Sequence, residues 1–260
     1  MVQPILPPPP DDAKLWRYMN FVKFVYLLNS KSLYFVQGAS LIDKFEGAMG
    51  SADLLSKYND FYSEFLRDAY RTRPDGSAAD LSTEQLEASV KKSLESLHQA
   101  GEWQRETTYL NCWHEAEHES EAMWRLYADW RHLAADDSGG IVVVSTFRRL
   151  SDGLSSVPNL YVGRVKYVDY TKQLVGINEA FWNKSMSFQH EREVRAVLRD
   201  HRKPQPTGIS IPVKVDDLIA EVRLSPRCPE WFENLVRDVA LLYRCTFEVK
   251  RSALEISPFY

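Results

Sequence analysis

A short run near residue 193 places two carboxylates and one guanidinium at alternating positions: Glu191, Glu193 and Arg195. If this run is a β-strand, the three side chains share one face, because successive side chains of a strand point to opposite sides. Such a row on a rigid strand can bind a ribose, a metal ion or a developing positive charge. The structural alternative is a solvated outer face with a weak surface ion pair, so the pattern leaves both interpretations open.

Two further sets of residues could contact a nucleotide. Arg17 and Tyr18 put a positive charge beside an aromatic ring, which suits a phosphate and a planar base. An ordinary edge-strand pair is the alternative for these two residues. Trp124 and Tyr127 are three residues apart, as on one helix face, and this spacing more often reflects core packing than a stacking platform.

The segment from His114 to His118 matches the HExxH pattern. On a helix the two histidines would share one face and could bind zinc, with Glu115 as the general base. The surrounding run HEAEHESE is more polar than the buried helix of such sites, and no third ligand is signalled downstream. We therefore favour a charged, solvated loop or helix start, and we expect no metal.

The composition is that of a globular protein. Of the 260 residues, 44% are hydrophobic and 26% are charged, close to the usual averages. The formal net charge of −4 gives no overall positive field that would attract nucleic acid or an anionic membrane. A sequence-reading DNA binder is therefore the least favoured class.

Cysteine content and apolar patterning predict the compartment. The three cysteines contain no CxxC pair, which argues for a reducing environment and against a cysteine zinc site. The start has no signal-peptide pattern, and no apolar run approaches the ~20 residues that a membrane span needs. We expect a cytoplasmic protein without a membrane partner.

Periodicity and capping signals predict the secondary structure. Helices are expected after Asn20, after Ser82 and after Pro229, and also at 51–70, 119–131 and 147–154. Residues 178–185 are expected to be helical or looped, and residues 73–77 form a turn. The expected strands are 15–19, 32–35, 109–113, 141–144, 161–167, 191–198, 209–215, 221–224 and 246–250.

Irregular alternation of strands and helices predicts an α+β fold with a mixed, largely antiparallel sheet flanked by helices. Residues 1–13 are proline-rich and are expected to form a flexible arm. Residues 14–260 are expected to form a single domain. Within it, residues 51–100 are predicted to be a helical insertion, because two helices alone bury little apolar surface.

Taken in order, several of these segments resemble the bacterial domain-of-unknown-function family 2971. The last of them carries two glutamates and an arginine after an aromatic residue, with Val194 where tryptophan is usual. In the loop before Glu46, Ile42 and Lys44 depart from the asparagine and proline of the family. The segments that carry the resemblance are 15–18, 32–35, 41–46, 112–113, 123–129, 140–144, 165–167 and 188–195.

The order of elements and the late glutamate are also similar to NAD-using folds of the ADP-ribosyltransferase type. This resemblance implies a split sheet and NAD as the substrate. It implies that Glu193 holds the hydroxyl of the nicotinamide ribose and that Arg17 holds the ribose or the pyrophosphate. Tyr34 or Tyr127 would sandwich the nicotinamide, and Tyr18, Trp124 and Arg195 complete the expected nucleotide-binding set.

Three functional hypotheses follow. The leading one is NAD-dependent ADP-ribosyl transfer or NAD cleavage through Glu193 and Glu191, with a protein or nucleic-acid acceptor. The second is a non-catalytic binding or regulatory module of a bacterial defence or toxin system, which engages a partner protein through residues 82–100. The third is a metal-dependent hydrolase that uses Glu191 and Glu193, or His114 and His118.

Overall fold

The computed structural model describes residues 4–72, 81–128, 139–202, 204 and 207–259. Its strands, in chain order, are β1 (Lys14–Asn20), β2 (Ser32–Gln37), β3 (Thr108–Glu115), β4 (Gly140–Thr146), β5 (Leu160–Arg164), β6 (Lys166–Val168), β7 (Asn183–Ser185), β8 (Glu193–Arg199), β9 (Gly208–Pro212), β10 (Glu221–Leu224) and β11 (Glu248–Lys250). Its helices are α1 (Phe21–Ser30), α2 (Leu55–Arg71), α3 (Thr83–Thr107), α4 (Glu121–Tyr127), α5 (Phe147–Leu154), α6 (Val215–Leu218) and α7 (Glu230–Leu242).

Nine of these strands form one sheet, which runs in the order β11-β10-β4-β1-β3-β2-β9, with β8 paired to β3 and β5 paired to β8. Every pairing in it is antiparallel except that of β10 with β11. The short strands β6 and β7 form a separate parallel pair. The predicted α+β fold, with a large and mostly antiparallel sheet flanked by helices, is confirmed.

The larger hydrophobic core lies on one face of the sheet, beneath α1, α5 and α7. Phe24 of α1, Leu150 of α5 and Val236 of α7 are fully buried in it. On β8, Val194, Ala196 and Leu198 belong to this core, so Glu193, Arg195 and Val197 face the other side of the sheet. The strand period of two thus fixes the direction in which the charged residues of β8 point.

The capping residues predicted at two helix starts are found in the structure. Asn20 Oδ1 accepts a hydrogen bond from the Lys23 backbone N–H at 3.0 Å and caps α1. Ser82 and Gln85 form a capping box at the start of α3, but this helix continues to Thr107 rather than ending near residue 100.

The apolar stripe on α2 is less buried than its pattern predicts. Tyr58 is buried, whereas 62% of Phe61 and 60% of Phe65 are exposed. The reason is that α2 packs mainly against α3, and a single helix covers only part of so wide a stripe. The single-domain boundary and the insertion at 51–100 remain predictions.

Several predicted strands differ in extent from the observed ones. The expected strand 161–167 is divided between β5 and β6, and the expected strand 209–215 ends at Pro212 and is followed by α6. The prediction that Glu191 lies on a strand is wrong. Glu191 ends a 3-10 helix (Met186–Glu191), and Arg192 adopts a left-handed backbone with φ 41° before β8 begins.

Several sequence predictions fall partly outside the described residues. These are the turn at 73–77, the end of the helix predicted at 119–131 together with Asp129, and the first residues of the arm. From Pro4 onward the arm lies against the body: Ile5 packs with a buried cluster that contains Trp182. The backbone carbonyl of Pro8 accepts a hydrogen bond from Arg164 Nη1 at 3.5 Å. None of the described helices is both long and apolar enough to cross a lipid bilayer.

Gly38, directly after β2, is packed so closely that a larger side chain would not fit without a shift of its neighbours. A Cβ atom at Gly38 would lie 2.7 Å from the Phe181 ring and 2.9 Å from the backbone oxygen of Arg105. Gly153 in α5 is a matched control, because a Cβ there would meet no atom within 4 Å.

We expect Gly38→Ala to lower the free energy of unfolding by roughly 1–3 kcal/mol through overpacking. Gly153→Ala should raise it by about 0.5–1 kcal/mol, because alanine loses less conformational freedom in a helix. Denaturant unfolding of both variants measures these values. A Gly38→Ala variant as stable as the unchanged protein would contradict the close packing.

Candidate active site

The sheet is split where β1 and β2 meet β3. β1 pairs with β3 only at Leu15–Glu115 and Trp16–His114, whereas β2 pairs with β3 only at Val36–Leu110 and Gln37–Tyr109. Between these pairings, residues 111–113 of β3 have no ladder partner on this side. The opening matches the split sheet implied by the resemblance to ADP-ribosyltransferase-like folds.

A polar contact bridges the split on the side of the larger core. The backbone oxygen of Tyr34 accepts hydrogen bonds from Asn111 Nδ2 at 2.9 Å and from Arg17 Nη2 at 3.3 Å. Asn111 Oδ1 in turn accepts one from Trp113 Nε1 at 2.7 Å, and the Arg17 guanidinium lies 5.8 Å from the centre of the Trp113 ring. These contacts fix Arg17 at the edge of the opening.

Cys112 lies within the unpaired stretch of β3, between the residues that pair with β1 and those that pair with β2. It is exposed, yet the dense surrounding protein raises the pKa of its thiol, and the negative charge of Glu193 adds to this effect. Cys112 lies directly opposite Arg195 in the β3–β8 pairing, so its side chain shares a face of the sheet with the charged residues of β8.

Five charged side chains form what we call the carboxylate cluster: Glu46, Lys184, Glu191, Glu193 and Arg195. Each of them is at least nine-tenths buried. Lys184 Nζ lies 2.5 Å from Glu191 Oε2, 3.0 Å from Glu193 Oε2 and 3.5 Å from Glu46 Oε1. The cluster therefore contains three carboxylates around one lysine.

Arg195 supplies the second cation of the carboxylate cluster. Its Nε donates to Glu193 Oε1 at 2.7 Å, and its Nη1 lies 2.9 Å from Glu46 Oε2. Nη1 also donates to the backbone oxygen of Phe181 at 2.8 Å. With three acids and two bases, the fully ionised cluster carries one net negative charge.

The two acids at the ends of Arg195 respond to this environment in opposite directions. Burial alone would raise the pKa of Glu193, but the charges of Arg195 and Lys184 outweigh it and lower that pKa to about 2. Burial also raises the pKa of Glu46, and here it outweighs the attraction of Arg195. Glu193 is thus ionised at any physiological pH, and Glu46 is the acid on which a proton most readily relieves the excess charge.

Tyr127 connects the carboxylate cluster to the surface. Its Oη donates to Glu191 Oε1 at 2.6 Å, while 42% of the residue is exposed. On the other side of Glu191, its backbone oxygen accepts a hydrogen bond from His114 Nδ1 at 2.5 Å. Burial lowers the pKa of His114, so this imidazole is neutral at pH 7.

The structure brings together some of the predicted site residues. Glu191, Glu193, Arg195 and Tyr127 meet in or beside the carboxylate cluster, although Glu191 reaches it from a 3-10 helix. Arg17 lies on the opposite face of the sheet from Glu193, because its strand neighbours Leu15 and Met19 belong to the larger core. It approaches the cluster only through the split, where its charge interacts with Cys112.

The remaining predicted residues have structural partners. Tyr18 and Trp124 are buried against each other with ring centroids 5.0 Å apart. The Tyr34 hydroxyl donates to Thr207 Oγ1 at 3.1 Å, towards β9 and away from the cluster. These three side chains support the site or lie beside it.

The HExxH segment does not form the helix that zinc binding by this motif requires. His114 and Glu115 are the last two residues of β3, and His118 lies beyond the strand. Within the described part of the chain, no group of three or more histidine, cysteine or acidic residues is arranged to hold a metal ion. The two histidines therefore do not share a helical face.

Sequence reasoning missed Lys184, Glu46 and Cys112 as site residues. Lys184 is in a three-residue strand with no periodic signal, and Glu46 is in a loop whose polarity is unsurprising. Their approach to β8 depends on long-range packing. The one available signal for Glu46 was its place in the loop that resembles family 2971.

Comparison with known proteins gives only distant similarity. No protein-family model matches the chain, and no curated protein matches it, so the resemblance to family 2971 remains a prediction. Similar solved structures include DarT of Thermus sp. 2.9 in complex with NAD+, at 7% identity and a TM-score of 0.43, over 95% of this chain and 99% of that chain.

Two further DarT structures of Thermus sp. 2.9 are similar at the same level. The complex with carba-NAD+ has 8% identity and a TM-score of 0.41, over 94% of this chain and 97% of that chain. The complex with ADP-ribosylated ssDNA has 9% identity and a TM-score of 0.40, over 95% of this chain and 96% of that chain. Neither membership of a family nor an activity follows from similarity this low.

The pKa values of Glu46 and Glu193 shift in opposite directions. Replacement of each acid by glutamine should therefore affect stability differently. The pKa of Glu193 is lowered on folding, so its stabilisation is present above the unfolded value of ~4.3 and is lost as the pH falls towards about 2. The pKa of Glu46 is raised, so its contribution is present at low pH and is lost as the pH rises through the folded value.

At pH 7.5 we expect Glu193→Gln to lower the free energy of unfolding by about 3 kcal/mol, because it breaks a buried ion pair. Glu46→Gln should leave stability within about 1 kcal/mol of the unchanged protein or raise it, because burial raises the pKa of Glu46 and loss of its charge relieves the excess negative charge of the cluster. Denaturant unfolding at several pH values measures both. Equal losses for the two variants would contradict this account of the cluster.

Proposed function

We propose that this protein cleaves the bond between nicotinamide and ribose in NAD and transfers the ADP-ribosyl group to water or to another acceptor. The observation that carries the proposal is the permanently ionised Glu193 beneath a solvent-reached opening of the sheet. Glu193 is 3% exposed, whereas Cys112, on the same face of the adjacent strand, is exposed in the split. A substrate that enters the split would therefore lie above a fixed negative charge.

The chemistry of this bond requires a fixed negative charge. When the glycosidic bond breaks, its electron pair leaves with nicotinamide, and positive charge develops on the ribose. A preorganised carboxylate in a site of low dielectric stabilises that charge without first having to reorganise solvent. The net negative carboxylate cluster, with Glu193 and Glu191 nearest to Cys112 and Tyr127, supplies such a charge.

Arg17 and Tyr127 are proposed to orient the dinucleotide. Arg17 is partly exposed at the split and could pair with the pyrophosphate, since a guanidinium binds phosphate oxygens in a bidentate manner. The exposed part of Tyr127 offers an aromatic face next to Glu191, where nicotinamide could stack. Between the two candidates for stacking, this position favours Tyr127 over Tyr34, whose hydroxyl contacts Thr207.

The acceptor determines which reaction is observed. Transfer to water gives free ADP-ribose, and transfer to a nucleophile of a protein or nucleic acid gives a stable conjugate. We propose that labelled NAD be incubated with the full chain in three parallel mixtures, containing buffer alone, a protein extract or single-stranded DNA. The mixture in which the label becomes attached to macromolecules identifies the acceptor class.

Glu191→Gln tests the carboxylate most directly, because Tyr127 and Lys184 can still hydrogen-bond to the amide. We expect the rate of nicotinamide release to fall by roughly 10²–10³-fold, as when one electrostatic contact to a transition state is removed. Chromatographic measurement of free nicotinamide provides the rate. Glu233→Gln is the matched control and should leave the rate unchanged, since Glu233 of α7 pairs with Arg237 of the same helix and with Arg251 after β11.

Absence of nicotinamide release by the unchanged protein in all three mixtures would overturn the proposal. So would a folded Glu191→Gln variant that retains the full rate.

The exposed apolar surface of the α2–α3 pair favours a second candidate function, the binding of a partner protein. Phe65 and Leu97 line a recess of about 350 Å³ between these helices. Under this hypothesis, Phe65→Ser abolishes the effect that the protein has in the cell, whereas Glu191→Gln preserves that effect. The reverse result favours NAD cleavage.

A further inference from the structure

A second charged site lies at the far end of β8, where Arg199 ends the strand. Arg199 is partly buried, and its Nε and Nη2 atoms are buried without a hydrogen-bond partner. Burial lowers the pKa of this guanidinium to about 10, and no charged group counteracts the shift. A guanidinium this enclosed normally has a counter-charge, because desolvating an unpaired charge is costly.

The nearest acid in the sequence does not compensate Arg199. Asp200 accepts hydrogen bonds from Arg202 Nε at 2.8 Å and from Arg202 Nη2 at 2.6 Å. Its carboxylate is therefore engaged by an exposed arginine. Among the residues that the structure describes, Arg199 has no anionic partner.

Thr108 places a second unpartnered group beside Arg199. The two residues are directly opposite each other in the β3–β8 pairing, so their side chains share one face with Cβ atoms about 5 Å apart. Thr108 is fully buried, and its Oγ1 has no hydrogen-bond partner. A guanidinium and a hydroxyl with unused donors thus lie side by side on the same face of the sheet.

A third buried donor lies on the same face. Trp182 packs with Val197, which precedes Arg199 by two positions on β8 and so shares its face. Trp182 is fully buried, and its indole Nε1 also lacks a partner. All three groups are able to donate a hydrogen bond, and the positive charge of Arg199 favours an acceptor that carries negative charge.

We propose that Arg199 and Thr108 form a binding site for a phosphate group, about 20 Å along β8 from Glu193. A tetrahedral phosphate has enough oxygens to accept a bidentate pair from the guanidinium and a further bond from the hydroxyl. The site lies on the same sheet face as the carboxylate cluster. It does not depend on the proposed cleavage of NAD.

Titration calorimetry of the full chain tests this site with three probes: inorganic phosphate, ADP-ribose and a single-stranded oligodeoxynucleotide. For whichever probe binds the unchanged protein, Arg199→Met should lower the affinity at least tenfold, and Thr108→Val should lower it several-fold. Arg202→Ala is the matched control, because it removes a nearby arginine that is already paired with Asp200, and it should leave the affinity for inorganic phosphate unchanged.

Thermal melting separates this role from a structural one. If Arg199 serves a ligand, Arg199→Met should melt at the same temperature or higher, because it removes an uncompensated charge. Inorganic phosphate should raise the melting temperature of the unchanged protein but not that of the variant. Arg199→Lys should restore part of the affinity.

The probes also distinguish the source of the phosphate. Binding of inorganic phosphate indicates a site for a free or terminal group, whereas binding of the oligonucleotide alone indicates a nucleic-acid backbone. If none of the probes binds, or if Arg199→Met and Thr108→Val both retain full affinity, the proposal is overturned. Should Arg199→Met fail to fold, Thr108→Val carries the same test.

Discussion

The burial of three carboxylates with only two cations is the constraint around which this region of the protein is organised. Ionised groups in a protein interior are tolerated only when they are paired and hydrogen-bonded. Arg195 meets that requirement by contacting Glu46, Glu193 and the backbone of Phe181, while Lys184 contacts all three acids. These contacts join the loop after β2, the segment from Phe181 to Glu191, and β8 into one unit.

The split of the sheet lies beside this buried charge. β3 pairs with β8 along seven residues, but on its other edge it pairs with β1 at one end and with β2 at the other. The unpaired stretch between them exposes Cys112 next to Glu193. Pairing along the whole of this edge would have closed the sheet at Cys112.

The sequence predicts the parts of this arrangement that depend on local periodicity. Alternation along β8 correctly places Glu193 and Arg195 on one face, and the Asn20 and Ser82 caps mark helix starts where the structure has them. Glu191 was misplaced because the left-handed Arg192 interrupts the strand pattern. Lys184 and Glu46 could not be predicted, since tertiary packing alone brings distant segments together, and the unpaired Arg199 is recognisable only once its neighbours are known.

A crystal structure of the full chain with a non-hydrolysable NAD analogue tests directly whether the split receives the dinucleotide. We expect the nicotinamide ribose to lie within hydrogen-bonding distance of Glu191 or Glu193, about 2.6–3.2 Å. We also expect the pyrophosphate to lie beside Arg17 and Cys112 to be covered by the ligand. An analogue bound elsewhere on the molecule, with the split still filled by solvent, would contradict the proposed function.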